Sequence, residues 1–199
     1  MDRILAWNLT GLIFNHDHSV DKKMLYTSTD YADVAVLPYG EGRFKGVVIL
    51  PKKEGQVEMG NTIEALFGTS SSFAEVMDSI GTEHVSLQLP RFKVDYGPTS
   101  LKPALKKMGV ESGFGGSGGF LRMTSDQSVY IQDVLHKAVI EVNEEGTTAA
   151  AATAVVMTRS LPAPPLPMVV DRPFLFAVHD SETNSLLFIS RVESPELPK

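Results

Sequence analysis

The sequence has no cysteine, one tryptophan among 199 residues, and no apolar run of the roughly 18 residues that a membrane-spanning helix requires. The absence of cysteine excludes a disulfide framework, thiol catalysis and cysteine-based metal sites. Formal net charge is −6 and no basic stripe is present, which argues against nucleic acid as the main partner. With 43% hydrophobic residues the chain has the composition of a soluble globular protein, and its length of 199 residues predicts one domain. No cofactor is expected.

The first 24 residues show no regular pattern. They begin with MDRILAWNLTGLIF, an apolar stretch that lacks a basic start and a small-residue cleavage site, so no signal peptide is predicted. His16-Asp17-His18 could suggest a metal ion, but no helical spacing and no third ligand accompany these residues. The pattern therefore predicts a solvated loop and no metal site.

The rest of the chain is dominated by strand patterns. Alternating or β-branched apolar runs occur at Asp33–Pro38, Phe44–Pro51, His84–Lys93, Val129–Val142, Arg172–His179 and Ser185–Val192. The first two runs are joined by YGEGR, which predicts a hairpin, and the last two flank the turn DSETN. Short helices are predicted at Asn61–Phe67, Ser72–Ile80 and Leu101–Met108, with Gly109 as the stop of the third. Many strands with few helices indicate the α+β class.

Asn143–Arg159 is the unusual stretch. After Glu145 it carries no charge until Arg159, and it is rich in alanine and threonine. Alanine favours a helix, while the threonines and valines at both ends weaken that interpretation. A flexible linker would carry more glycine, serine or proline. A third interpretation is a segment that can become a central β-strand, because neither face would bring bulk or charge into a sheet. Composition alone leaves the three interpretations open.

Several segments together resemble the serpin family of serine protease inhibitors. EEGTTAAAATAVVM resembles the hinge and proximal reactive loop of its inhibitory members, and VLHKAVIEVNEEG resembles the central-sheet strand that leads into the hinge. MVVDRPFLFAV is similar to the C-terminal signature, LLFISRVESP to the final strand, and DVAVLPYGEGRFKGVVILPKKEG to two consecutive strands of the B-sheet. The similarity covers roughly residues 25–197, and the chain is identified as a member of this family.

The resemblance implies a partial serpin fold with mostly antiparallel sheets, a few short helices and an exposed reactive loop. It implies one truncated domain over 1–199. Its parts are an atypical N-terminal segment (1–24), sheet strands with short helices and one central-sheet strand (25–142), hinge and reactive loop (143–167), and C-terminal strands (168–199). About half of a typical member is missing, including a strand that flanks the slot receiving the loop.

The resemblance also implies a function, that of a serine-type endopeptidase inhibitor. Inhibitory serpins offer the loop as a suicide substrate, and the cleaved loop inserts into the central sheet while the protease is held as an acyl-enzyme. The protein is then not an enzyme, and its partner is the target protease. The implied hinge residues are Glu144, Glu145, Gly146, Thr147, Thr148, Ala149, Ala150, Ala151 and Ala152.

The implied reactive bond is Arg159–Ser160. Counting from the hinge glycine at the family's common spacing selects Ser160 as the specificity residue, whereas members cut one residue earlier select Arg159. Arginine fits the acidic pocket of trypsin-like proteases, which favours Arg159. Alternatively, Arg159 has no role in protease recognition and is a solubilising charge on an exposed loop.

Two further residues match structural positions of the family. Arg91 lies where the family has a basic partner for Glu144 at the top of the hinge strand, and His136 matches its histidine below the central sheet. We expect His136 to be a buried histidine with satisfied hydrogen bonds.

Alternatives to an inhibitor stay open. The chain could be a non-inhibitory serpin-like binding or storage protein, or an inactive fragment whose exposed strands pair with another chain. Gly115-Gly116-Ser117-Gly118-Gly119 spells the nucleophile elbow of a hydrolase, but the required strand before it and helix after it are not predicted. The family tendency is extracellular, and without an evident signal peptide a cytoplasmic location is also compatible.

Overall fold

The computed structural model describes residues 23–39, 42–69, 72–115, 120–125, 128–142 and 164–193. Strands dominate and helices are few, which confirms the α+β class. The chain divides into two compact units, the first made of the residues up to Lys93 and from Glu141 onward, the second of Val94–Ile140.

The first unit is built on a seven-stranded sheet. Its strands in chain order are β1 (Lys23–Ser28), β2 (Ala32–Tyr39), β3 (Phe44–Pro51), β4 (Gly81–Gln88), β7 (Leu166–Val169), β8 (Phe174–Asp180) and β9 (Ser185–Val192). Their order across the sheet is β7-β4-β1-β2-β3-β8-β9, with β4 and β7 parallel and every other pair antiparallel. β5 (Phe92–Ser100) and β6 (Leu135–Val142) form a separate two-stranded sheet.

Helices α1 (Gln56–Phe67) and α2 (Ser72–Asp78) cover one face of the large sheet. α1 buries Met59, Thr62 and Leu66, residues spaced by three and four that lie on one side of a helix. Met59 and Leu66 belong to one core cluster with alternate sheet residues, namely Val34, Val36, Val47, Ile49, Leu175 and Ala177. A third short helix, α3 (Lys102–Lys107), belongs to the second unit.

The opposite face of the same strands is closed by aromatic side chains. Phe92 lies edge-on to Phe174 and Phe176, with ring centroids 5.4 and 5.3 Å apart. All three rings are at most 1% exposed. The central strands are therefore buried on both faces, which is why they read as continuous apolar runs rather than as alternating ones.

The hairpin of β2 and β3, the turn between β8 and β9, and the stop of α3 at Gly109, where φ is +88°, confirm the sequence predictions. The single strand predicted at His84–Lys93 is wrong, because the chain leaves β4 after Gln88 and begins β5 at Phe92. Pro90 lies at the break, where its missing N–H cannot contribute to a ladder.

The long strand predicted at Val129–Val142 is also too long, since β6 begins at Leu135. The backbone before it bonds elsewhere. The N–H of Ile131 donates to the carbonyl of Gly113 at 2.8 Å, and the carbonyl of Val134 accepts from the N–H of Leu101 at 2.8 Å. Loop contacts therefore replace the ladder that the β-branched pattern predicted.

Two strands were not predicted at all. β1 follows the irregular first residues, and β7 contains Pro167, which local propensity excludes from a strand. β7 is an edge strand with one neighbour among the described residues, the position at which a proline is tolerated.

An ion pair joins the β2–β3 loop to the end of β8. Arg43 donates from Nε and Nη2 to the two carboxylate oxygens of Asp180 at 3.1 and 2.8 Å, and its Nη1 lies 2.9 Å from Glu182. Asp180 is 4% exposed, whereas the side chain of Arg43 is about half-exposed. The hydrogen bonds from Arg43 hold the pKa of Asp180 well below its usual range.

This pKa predicts an acid-dependent loss of stability. A lowered pKa in the folded protein means that Asp180 stabilises the fold above the unfolded pKa of about 4, and that this stabilisation declines as the pH falls below it. We expect Arg43→Gln to be less stable than the parent at about pH 6, and the difference to shrink below about pH 4. Urea unfolding of both proteins at several pH values measures this, and a difference independent of pH would contradict it.

Gly97 faces a close neighbour in the second unit. It has φ +98°, and a Cβ added there would lie 2.5 Å from the carbonyl oxygen of His136. We expect Gly97→Ala to cost about 1–3 kcal/mol of stability through backbone strain, in addition to the clash. Gly60→Ala is the control, because Gly60 lies in α1 with open space at its Cβ position, and alanine should stabilise the helix by about 1 kcal/mol. Thermal unfolding of the two variants should therefore shift in opposite directions.

Candidate functional site

The predicted bait lies largely outside the described residues. This holds for the hinge residues 144–152 and for both sides of the predicted reactive bond, Arg159 and Ser160. The structure describes instead the two strands that precede and follow residues 143–163 along the chain. β6 ends at Val142, and β7 begins at Leu166.

The strand β7, in which the predicted bait ends, belongs to the large sheet. β7 pairs in parallel with β4, with Met168 opposite Leu87. Just after β7, the N–H of Val170 donates to the carbonyl of Gln88 at 2.8 Å. Met168 and Val170 are 3% and 1% exposed. This attachment is therefore anchored in the core through Met168 and Val170, whereas the start of β7 is exposed.

The Asp171-Arg172-Pro173-Phe174 segment secures the same attachment. Arg172 donates from Nε to the carbonyl of Pro51, the last residue of β3, at 2.9 Å, and its Nη1 lies 2.9 Å from Asp171. Phe174, two residues further, enters the aromatic cluster. This segment, which carried part of the sequence resemblance, thus links the strand that follows the predicted bait to the central strands.

The strand that precedes the predicted bait in the chain, β6, has a different support. β6 pairs with β5, and among the described residues it has no strand on its other side. Its apolar residues Leu135 and Val139 are 71% and 46% exposed. Such a strand presents free N–H and C=O groups to which a further strand could be added.

Two ion pairs join β5 and β6, and the lysine lies on β5 in one pair and on β6 in the other. Lys93 Nζ lies 3.6 Å from a carboxylate oxygen of Glu141, and Lys137 Nζ lies 3.0 Å from one of Asp95. All four side chains are about half-exposed, so each pair contributes little, about 0–1 kcal/mol. The Lys93–Glu141 pair lies next to the predicted hinge and was not foreseen. The sequence shows only two charges 48 residues apart, without the register that joins them.

The two structural positions taken from the family are both exposed. Arg91 lies between β4 and β5, and its predicted partner Glu144 lies outside the described residues, so their pairing stays a prediction. His136 is exposed on β6. The expectation of a buried histidine is therefore wrong, because in the described part of the chain β6 has a strand on one side only.

The described residues give little support to a hydrolase site or a metal site. Gly115 follows turns rather than a strand, so the G-x-S-x-G letters lack the strand that a nucleophile elbow needs before it, and Gly116–Gly119 lie outside the described residues. The His16–His18 segment lies outside them too. No group of three or more acidic, histidine or cysteine side chains in the described ranges could hold a metal ion. None of the helices described is long and apolar enough to cross a membrane.

Comparison with known proteins identifies the class to which this arrangement belongs. The family profile of Serpin (serine protease inhibitor) matches residues 18–195. Iripin-8 of Ixodes ricinus is 35% identical over 175 residues, which are 85% of this chain and 42% of that protein. Serpin B10 of Rattus norvegicus is 37% identical over 163 residues, 80% of this chain and 40% of that protein.

Solved structures agree with the sequence matches. The thermophilic serpin tengpin in its native state superposes with a TM-score of 0.63 at 30% identity, covering 86% of this chain and 44% of tengpin. The Arabidopsis serpin AtSerpin1, in a native stressed conformation, gives 0.68 at 29% identity over 89% of this chain and 47% of its own. The chain belongs to the serpin family, and it spans about 40% of the length of the curated relatives named above.

The buried attachment of β7 can be tested within one strand. Met168→Ala removes a side chain that is 3% exposed and should cost about 2–5 kcal/mol of stability through lost burial and a cavity. Leu166→Ala is the matched control, because Leu166 is 48% exposed in the same strand and should change stability by less than about 1 kcal/mol. Urea unfolding measures both, and equal losses would contradict a core attachment.

Proposed function

We propose that this protein is a serine protease inhibitor of the serpin class, with residues 143–167 as its hinge and bait loop and Arg159–Ser160 as the bond that a trypsin-like protease cleaves. The observation that carries the proposal is the position of this alanine-rich segment between two strands, β6 and β7, in a chain of this family. Arg159 is the one charged residue between Glu145 and Asp171, so a trypsin-like pocket has a single side chain to select.

The mechanism follows from the chemistry of the bait. The protease serine attacks the Arg159 carbonyl, the Ser160 amine leaves, and an acyl-enzyme forms. The hinge from Gly146 onward would then insert as a strand into the central sheet, to which β6 is expected to belong. Thirteen steps from Gly146 to Arg159 at ~3.3 Å each carry the protease over roughly 43 Å. The small, uncharged hinge residues suit this step, because a charge at Thr147 would have to be buried.

A second candidate function is a protease substrate that does not trap. It is favoured by the one-sided pairing of β6, since insertion needs strands on both sides of the added segment and the described residues provide one side. The two candidates share the bait and differ in the fate of the acyl-enzyme after cleavage, which is trapped in the first and hydrolysed in the second.

The first experiment mixes the purified chain with trypsin and analyses the products by denaturing electrophoresis. A band at the summed mass, with cleavage after Arg159, is expected of an inhibitor. Cleavage after Arg159 without that band indicates the substrate function. No cleavage at this bond under native conditions would refute both.

Two variants serve as controls for this experiment. Arg159→Ala should abolish cleavage at the bond, whereas Ser160→Ala should leave it intact if Arg159 is the specificity residue. Thr147→Arg should keep the cleavage and lose the trapped band, because burying the new charge opposes insertion. A Thr147→Arg band as strong as that of the parent would refute insertion of the hinge.

A further inference from the structure

The last strand of the large sheet carries an uncovered apolar surface, here called the β9 patch. It consists of four consecutive residues that are 39–51% exposed, namely Leu186, Leu187, Phe188 and Ile189. Among the described residues β9 is the edge of the sheet and pairs with β8 alone. An apolar edge strand of this kind is a surface on which another segment adds.

One side of the patch continues the helix-covered face of the sheet. Ile189 lies opposite Ala177, which belongs to the core under α1 and α2. Leu186 lies opposite His179, whose ring is edge-on to Phe73 of α2 at 5.7 Å. The core under the helices thus extends as far as β9, where Leu186 and Ile189 are exposed.

A pocket opens at the same place. It measures about 240 Å³, and its walls include Leu66 and Phe67 of α1, Phe73 of α2, and Asn184 and Leu186 at the start of β9. Phe67 and Phe73 stack with their ring centroids 5.4 Å apart. Its lining is partly polar and partly apolar, and its volume is enough for one large apolar side chain from a segment lying along β9.

The chain itself offers a segment of matching character. Eight of the eleven residues of Ile4–Phe14 are apolar, and none is charged. These residues precede the part that the family profile matches, which begins at residue 18. The eight residues after them, 15–22, are mostly polar and connect the segment to β1.

The connecting residues are long enough. By the strand register, Leu25 of β1 lies in one row across the sheet with Val36, Val47, Ala177 and Ile189. Lys23 and Leu186 lie two and three residues before this row, and four strand spacings of ~4.8 Å give roughly 19 Å between β1 and β9. Eight residues extend up to roughly 26 Å, so the apolar segment can reach the β9 patch from the same end of the sheet.

We infer that Ile4–Phe14 docks along the free edge of β9, with one of its large apolar side chains in the pocket beside Leu186. The tether decides between this occupant and a second copy of the chain. A tether of eight residues gives an effective concentration in the millimolar range, far above the concentration at which copies of a protein usually meet. Docking would close the apolar core at its exposed end.

The single tryptophan of the chain, Trp7, lies in the docking segment and reports on it directly. We expect its emission in the native protein to be shifted to the blue relative to the urea-unfolded chain, and its quenching by acrylamide to be weaker. Ile189→Ser should weaken docking by about tenfold through lost apolar contact. Val57→Ser, at a position of α1 that is 75% exposed, should leave Trp7 unchanged.

Three outcomes would overturn the inference. Native quenching equal to that in urea would mean that the segment is not docked. If Ile189→Ser left the protection of Trp7 from acrylamide unchanged, Trp7 would be protected at a site other than the β9 patch. An intramolecular contact persists when the protein is diluted from about 100 to about 1 µM. If the protection of Trp7 were lost on this dilution, the β9 patch would bind a second copy of the chain.

Cross-linking gives an independent measurement, because the chain has no cysteine of its own. The pair Leu9→Cys with Leu187→Cys should form a disulfide within one monomer on mild oxidation. The pair Leu9→Cys with Val57→Cys is the control and should stay reduced. Equal oxidation of both pairs would overturn the docking on β9.

Discussion

The pairing of β3 with β8 is the constraint on which the first unit depends. These strands lie more than 120 residues apart in the chain, and their register sets Val47 opposite Ala177 and Val48 opposite Phe176. The first pair faces the helices and the second faces Phe92, so this one ladder builds both halves of the core. The Arg43–Asp180 ion pair closes the same ladder at its end.

The support of the candidate bait follows from this arrangement. Downstream, β7 is held by buried side chains and by the bond from Arg172 to the end of β3. Upstream, β6 belongs to a two-stranded sheet with exposed apolar residues. The proposed mechanism would use this difference, because the hinge must leave its position and add to a sheet while the far side of the cut bond stays attached.

The large exposed apolar side chains of the described strands β6 and β9 have a common cause. Leu135 and Val139 on β6, like the four residues of the β9 patch, lie on strands with one neighbour in the part of the chain that the structure describes. Local sequence cannot distinguish such strands from buried ones, since the same β-branched and aromatic residues suit both. Predicting the hairpin and the final two strands succeeded where strong apolar runs were bounded by turn residues, whereas β1 and the proline-containing β7 carried no such signal.

The sequence by itself determined the family, the class of fold and the candidate bait, because motifs, apolar periods and uncharged stretches are local and are written along the chain. The tertiary structure alone decided where β4 ends, that residues 129–134 form loop contacts, that His136 is exposed, and which charges meet in the Arg43–Asp180 and Lys93–Glu141 pairs. Each of these depends on which strand lies beside which and in what register. Such pairings join residues far apart in the chain, and no local pattern records them.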